Sequence, residues 1–79
     1  MTIQLTLYAS LASHLPETSG GNACSIEVRE GAAVKDVLLQ LKIGLEIPKI
    51  IFLNGIHAGL ESVLKNGDRL AVFPPIAGG

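Results

Sequence analysis

The stretch Leu64-Lys65-Asn66-Gly67-Asp68-Arg69-Leu70-Ala71-Val72-Phe73-Pro74-Pro75-Ile76-Ala77-Gly78-Gly79 decides the fold. Asn66-Gly67-Asp68 has the chemistry of a turn. Arg69 to Phe73 then reads as a strand, with Leu70 and Val72 on one face and Ala71 and Phe73 on the other. Pro74 has no N–H and ends the ladder. A stiff proline pair leads on to two glycines, which lack a Cβ and make the thinnest end a chain can have. The glycine doublet alone is weak, since average usage yields one in roughly 200 chains by chance and termini commonly fray. Its meaning depends on the residues before it.

Working back from that stretch, Ile50 to Leu53 is a continuous apolar run, and Asn54-Gly55 asks for a type I′ turn into Ile56, His57 and Ala58. Between this hairpin and the final turn, Gly59 to Asp68 carries only the short apolar pair Val63 and Leu64. Upstream, Val34, Val37, Leu38 and Leu41 fall at helical spacing and predict one amphipathic helix. Its start is poorly capped, because Ala32 and Ala33 stand where Ser, Thr or Asp would be preferred. Gly44 is the expected C-cap, and Pro48 marks an extended approach to the next strand. Cys24 to Arg29 alternates, with Cys24, Ile26 and Val28 on one face. Thr2 to Tyr8 alternates as well, with Ile3, Leu5 and Leu7 inward and Gln4 and Thr6 outward. Between these strands, Ser10 suits the start of a short helical turn, Leu11 to Leu15, that Pro16 ends. Glu17 to Asn22 reads as a loop.

The order is therefore strand, loop, strand, helix, strand, hairpin strand, turn, strand. This is an α+β domain, residues 1–79, with a mixed sheet of about five strands packed on one main helix and a flexible tail, 74–79. One helix cannot cover both faces of a sheet, so one face is expected to be open. Phe73 points out of that face if Leu70 and Val72 face the helix. Either loop residues bury it there, or it forms an apolar docking patch beside the tail.

The composition narrows the function classes. The 79 residues carry six basic and seven acidic side chains and 48% hydrophobic residues, and no run of like charge. That charge pattern gives no footprint for nucleic acid or anionic lipid. No apolar run reaches the roughly 18 residues of a membrane span, and Met1 leads straight into a strand rather than a signal peptide. A cytoplasmic protein is expected. The single cysteine, Cys24, excludes an intrachain disulfide and sits on the parity of Ile26 and Val28, as a small core residue would. His14 and His57 have no acidic partner at a telling spacing, and no His or Cys pair has metal-ligand spacing. No catalytic constellation is visible, and neither a metal nor a bound cofactor is expected.

What remains is the α-carboxylate of Gly79. It is ionised at neutral pH and a poor electrophile, so covalent chemistry there needs activation by a partner, for example as a mixed anhydride with AMP made from ATP. Fully extended, Phe73 to Gly79 reaches on the order of 20 Å, enough to enter a partner's active site while the body stays outside. Pro74 and Pro75 keep the exit straight and limit the entropy lost on insertion.

The element order, the Asp36-Val37-Leu38 helix, the Asn54-Gly55 hairpin, the Leu64 to Asp68 turn and the Phe73 to Gly79 tail together resemble the ubiquitin-like β-grasp sulfur carriers. Within these the tail looks like that of the small subunit of molybdopterin synthase, the MoaD type. The resemblance spans the whole chain. Ala33 stands where this family commonly has a helix-capping Thr. The Leu11–Leu15 segment and the Phe-Pro-Pro exit favour the molybdopterin type over the thiamin carrier, ThiS. The resemblance implies that an adenylating enzyme of the ubiquitin-activating kind (MoeB or ThiF type) uses ATP to adenylate Gly79. It implies further that a sulfur donor converts the adenylate to a thiocarboxylate, and that a large subunit of the MoaE type receives the sulfur. By the same implication Gly78, Ala77, Ile76, Pro75 and Pro74 thread the partner's channel and Phe73 docks the body. Carriers for thiamin, tRNA thiolation or tungsten cofactor, and ubiquitin-like protein modifiers, share this tail chemistry.

Overall fold

In the computed structural model, residues 1–8, 23–46 and 49–74 are described. The elements follow the expected order: β1 (Thr2–Leu7), β2 (Ala23–Glu27), α1 (Val34–Gln40), β3 (Ile50–Leu53), β4 (Ile56–Ala58) and β5 (Arg69–Phe73). The strands form one sheet in the order β2-β1-β5-β3-β4. β1 and β5 run parallel at its centre, and the other pairs are antiparallel. One helix against one face of this mixed sheet is the β-grasp arrangement. The expected short helical turn at Leu11–Leu15, the loop at Glu17–Asn22 and the Pro48 approach lie outside the described residues.

The sheet has two faces because the side-chain period of a strand is two. Ile3, Leu5 and Leu7 of β1, Ile26 of β2, Ile51 of β3 and Leu70 and Val72 of β5 are buried on the face that Val34, Val37 and Leu38 of α1 cover. The apolar stripe read from the sequence is thus the buried stripe of the helix, and Leu41 packs at its end. Cys24 is half-buried against the same core, as its parity implies.

The ends of α1 depart from expectation. Its start has no side-chain cap, yet its first N–H groups are satisfied. Val34 N donates to Ser62 O (2.9 Å), Lys35 N to Leu60 O (3.0 Å) and Asp36 N to Ala33 O (3.0 Å). The Asp36 carboxylate reaches back to accept from Ala33 N at 2.8 Å and lies 3.4 Å from Arg29. At the other end Gly44 is not the cap. The helix closes at Leu41, Lys42 takes the left-handed conformation (φ 62), and Ile43 N donates to Leu38 O (2.8 Å) while Lys42 N donates to Leu39 O (3.0 Å). This is a Schellman motif, with Ile43 fully buried as its apolar anchor.

The two turns read from sequence are present. Asn54 (φ 53) and Gly55 (φ 82) have the paired positive φ of a type I′ turn. Gly67 (φ 86) lets the 65–68 turn fold back onto β1, where Thr2 N donates to Asn66 Oδ1 (2.9 Å) and Gly67 N donates to Thr2 O (2.8 Å).

Candidate docking face at the root of the tail

The face of the sheet away from α1 is divided. Its β1–β2 half is polar and self-paired: Thr2 Oγ1 donates to Glu27 Oε1 and Gln4 Nε2 donates to Ser25 Oγ, both at 2.9 Å. Its other half is aromatic. β1 and β5 are parallel and in register from Gln4↔Arg69 to Leu7↔Val72, so Tyr8 and Phe73 emerge side by side one step further on. Tyr8 N still donates to Val72 O at 3.1 Å, which fixes the backbone there. The two rings stack with centroids 4.1 Å apart and planes 8° from parallel. Phe52, on the neighbouring strand, meets Phe73 edge to face at 5.8 Å, and His57 meets Phe52 edge to face at 5.8 Å. Ile50, directly across from Phe73 in the β3–β5 register, is 36% exposed. A row of rings therefore crosses the sheet from β1 to β4.

Phe73 lies on the open face, as its parity required. Neighbouring rings leave it half-buried. Pro74 follows at once and is half-buried too. Pro75, Ile76, Ala77, Gly78 and Gly79 lie outside the described residues, as does His14. Sequence reasoning singled out Phe73 but passed over Tyr8, Phe52 and His57 as partners. The signal for all three was the same period of two: Tyr8 continues the Gln4–Thr6 parity, and Phe52 and His57 take the outward positions of their strands.

The described residues contain no His, Cys, Asp or Glu group of three or more that could hold a metal. None of their helices is long and apolar enough to cross a membrane. The aromatic row carries no nucleophile beside a base. It offers flat, rigid apolar surface with a histidine at one margin, at the point where the chain leaves the sheet. Such a surface is suited to recognition, because aromatic side chains supply large contact area for little conformational entropy.

Solved structures of several other proteins resemble this chain. Small archaeal modifier protein 1 (SAMP1) from Haloferax volcanii is 28% identical and superposes with a TM-score of 0.74, all of both chains being covered. A protein of Pyrococcus furiosus described as molybdopterin converting factor subunit 1 is 25% identical, with a TM-score of 0.68 over 95% of this chain and 98% of that one. Subunit 1 of the Helicobacter pylori molybdopterin-converting factor, solved as a complex with subunit 2, shares the fold at 19% identity, with a TM-score of 0.61 and both chains fully covered. No curated protein sequence matches significantly. The model of the ThiS family matches residues 11–79, nearly the whole length including the tail, and the chain belongs to that family of ubiquitin-like sulfur carriers.

Proposed function

We propose that this protein carries sulfur on the carboxylate of Gly79 and delivers it in molybdopterin synthesis, as the small subunit of the synthase. The observation that carries this reading is the aromatic row centred on Phe73 at the root of a Pro-Pro-Ile-Ala-Gly-Gly tail, on a body whose described residues offer no reactive constellation. The body docks through Phe73, Tyr8, Phe52 and Ile50. Pro74 and Pro75 hold the exit straight, and Ile76, Ala77 and Gly78 thread the channel. In the activating partner the Gly79 carboxylate attacks the α-phosphorus of ATP and expels pyrophosphate. A donor sulfur at the oxidation level of sulfide then attacks the acyl carbon, and AMP leaves with one carboxylate oxygen. The thiocarboxylate sulfur then attacks an electrophilic carbon of the acceptor held by a large subunit and displaces an oxygen leaving group there. Water cleaves the thioester so formed, returning the carboxylate of Gly79 and leaving a thiol on the acceptor. The Pyrococcus furiosus protein described as converting factor subunit 1 supports the molybdopterin pathway. The chemistry is expected to run in the cytoplasm, where free thiols and ATP are both available.

The test is intact-mass measurement after incubation with the cognate activating enzyme, ATP and a sulfur source. A gain equal to one oxygen-to-sulfur exchange is expected, and its absence with a partner verified as active refutes the reading. A second reading, a protein modifier joined to lysines, is favoured by the likeness to SAMP1. It predicts isopeptide-linked adducts of Gly79 in a pull-down, which a dedicated sulfur carrier does not form.

A further inference from the structure

The side of the molecule remote from the tail carries a second surface. Among the described residues β2 is an edge strand, paired only with β1. Met1 and Val28 exchange both main-chain hydrogen bonds at 2.8 Å. In an antiparallel ladder such pairs alternate, so with Thr2↔Glu27 and Gln4↔Ser25 in register, Glu27 and Ser25 turn their N–H and C=O groups outward. Among the described residues only one of these outward groups has a partner: Gln40 Nε2, reaching over from α1, donates to Glu27 O at 3.3 Å. Beside this edge a cleft of about 560 Å³ opens between β2 and α1. Val28, Ala32 and Val37 floor it, and Leu39, 56% exposed, stands on its rim.

A main-chain row with three of its four outward groups open among the described residues, next to a cleft with an apolar floor, specifies the shape of its occupant. Only an extended segment satisfies outward N–H and C=O groups at strand spacing while placing alternate side chains into the cleft. The charges specify more. Asp36 is occupied by Arg29 and by Ala33 N, whereas Glu27 and Glu30 are exposed and have no ion-pair partner among the described residues. We propose that the β2 edge and the β2–α1 cleft bind an extended segment of another protein, which carries an apolar residue over Leu39 and a Lys or Arg opposite Glu27. The surface lies at the Glu27 end of β2. The Tyr8–Phe73 stack lies at the opposite end, beyond the Thr6↔Ala23 pair. A protein held at the edge therefore leaves the tail root free, and the carrier can be tethered to one protein while its tail serves another. This inference stands apart from the sulfur chemistry and does not depend on it.

The test uses the full chain, ¹⁵N-labelled, and an eight-residue peptide alternating Val or Ile with Thr, with Lys at the position meant to face Glu27. Saturable shifts are expected at Ser25, Glu27, Arg29, Leu39 and Gln40, with Phe52, His57 and Phe73 unmoved. A peptide with Glu in place of that Lys should bind about fivefold more weakly, the scale of a cross-strand charge pair. Glu27→Lys, a change at an exposed position, should reverse that preference with the amide spectrum otherwise retained. No saturable shift at millimolar peptide, shifts centred on the aromatic row, or an unreversed preference in Glu27→Lys each overturns the proposal. So does sedimentation of the unliganded protein as a dimer that Ser25→Pro dissociates, because the edge then belongs to a second copy.

Discussion

Tyr8 and Phe73, sixty-five positions apart in the chain, lie face to face at 4.1 Å because the parallel register of β1 and β5 brings the two strand ends level. Each ring is half-buried, and together they form the shoulder from which the tail departs. A half-buried Phe contributes less to stability than the ~3–5 kcal/mol lost when a fully buried one is cut to Ala. Phe73→Ala should therefore cost about 1–2 kcal/mol in urea unfolding. A double-mutant cycle with Tyr8→Ala should return a coupling of about 0.5–1.5 kcal/mol, the range for aromatic pairs. Binding to the activating enzyme or the large subunit should fall by a larger factor than stability does. A folding loss of about 3 kcal/mol or more would identify Phe73 as a core residue and remove it from the docking face.

Lys42 supplies a sharper test of the backbone. It holds a left-handed φ of 62 at the C-terminus of α1, a conformation that costs a residue with a Cβ about 1 kcal/mol. Lys42→Gly should raise stability by about 0.5–1 kcal/mol, with the greater freedom of glycine in the unfolded chain reducing the gain. Gly44 does not occupy the special position. The nearest atoms a Cβ added there would meet belong to the flexible, exposed Glu46 carboxylate, which can turn aside, so Gly44→Ala should lie within about 0.5 kcal/mol of wild type. Denaturant midpoints of the two variants, at equal m, separate the alternatives. A reversed order would return the cap to Gly44.

The start of α1 yields an asymmetric pair. A Ser or Thr at the N-cap usually adds about 1 kcal/mol by accepting from an orphan N–H. Here the donors of Val34 and Lys35 already end on Ser62 O and Leu60 O. Ala33→Thr should accordingly change stability by less than about 0.5 kcal/mol, well short of an ordinary cap. Asp36→Ala removes both the acceptor for Ala33 N and the partner of Arg29, and should cost about 1–2 kcal/mol. A full cap-sized gain from Ala33→Thr would mean that the 59–64 carbonyls do not satisfy the first turn, and a costless Asp36→Ala would mean that the Asp36 contacts contribute nothing to the helix start.

These ends show where sequence reading succeeds and where it stops. Strand parity is local, and it put Leu70 and Val72 inside and Phe73 outside before any register was known. The Asn54-Gly55 turn is equally local, since two positive φ angles demand those residue types. The caps of α1 are not local. The partners of Val34 N and Lys35 N are carbonyls some twenty-five residues downstream, and its C-terminal cap is a lysine held left-handed because Ile43 is anchored in the core. Neither leaves a mark in the composition of the helix. The aromatic row lies between these cases. Each ring had a predictable face, but that Tyr8, Phe73, Phe52 and His57 meet depends on the register of four strands, which the alternation of each strand alone does not set.

The tail mechanism makes its own demand on length. If the reacting group is the carboxylate of Gly79, the distance from the docked Phe73 to that carboxylate is set by six peptide units, and one added residue moves it by up to about 3.5 Å. Misplacement of a reacting atom by about 1 Å can cost a hundredfold in rate. A variant with one alanine after Gly79 should therefore lose ATP–pyrophosphate exchange with the activating enzyme by at least about a hundredfold. Its unfolding midpoint should not move, because the added residue lies beyond the last strand, which ends at Phe73. It should still compete with the unmodified protein for the partner, since the aromatic row is intact. Loss of exchange with competition retained separates reach from docking. Exchange at the unmodified rate would mean that the carboxylate at this position is not the group being activated.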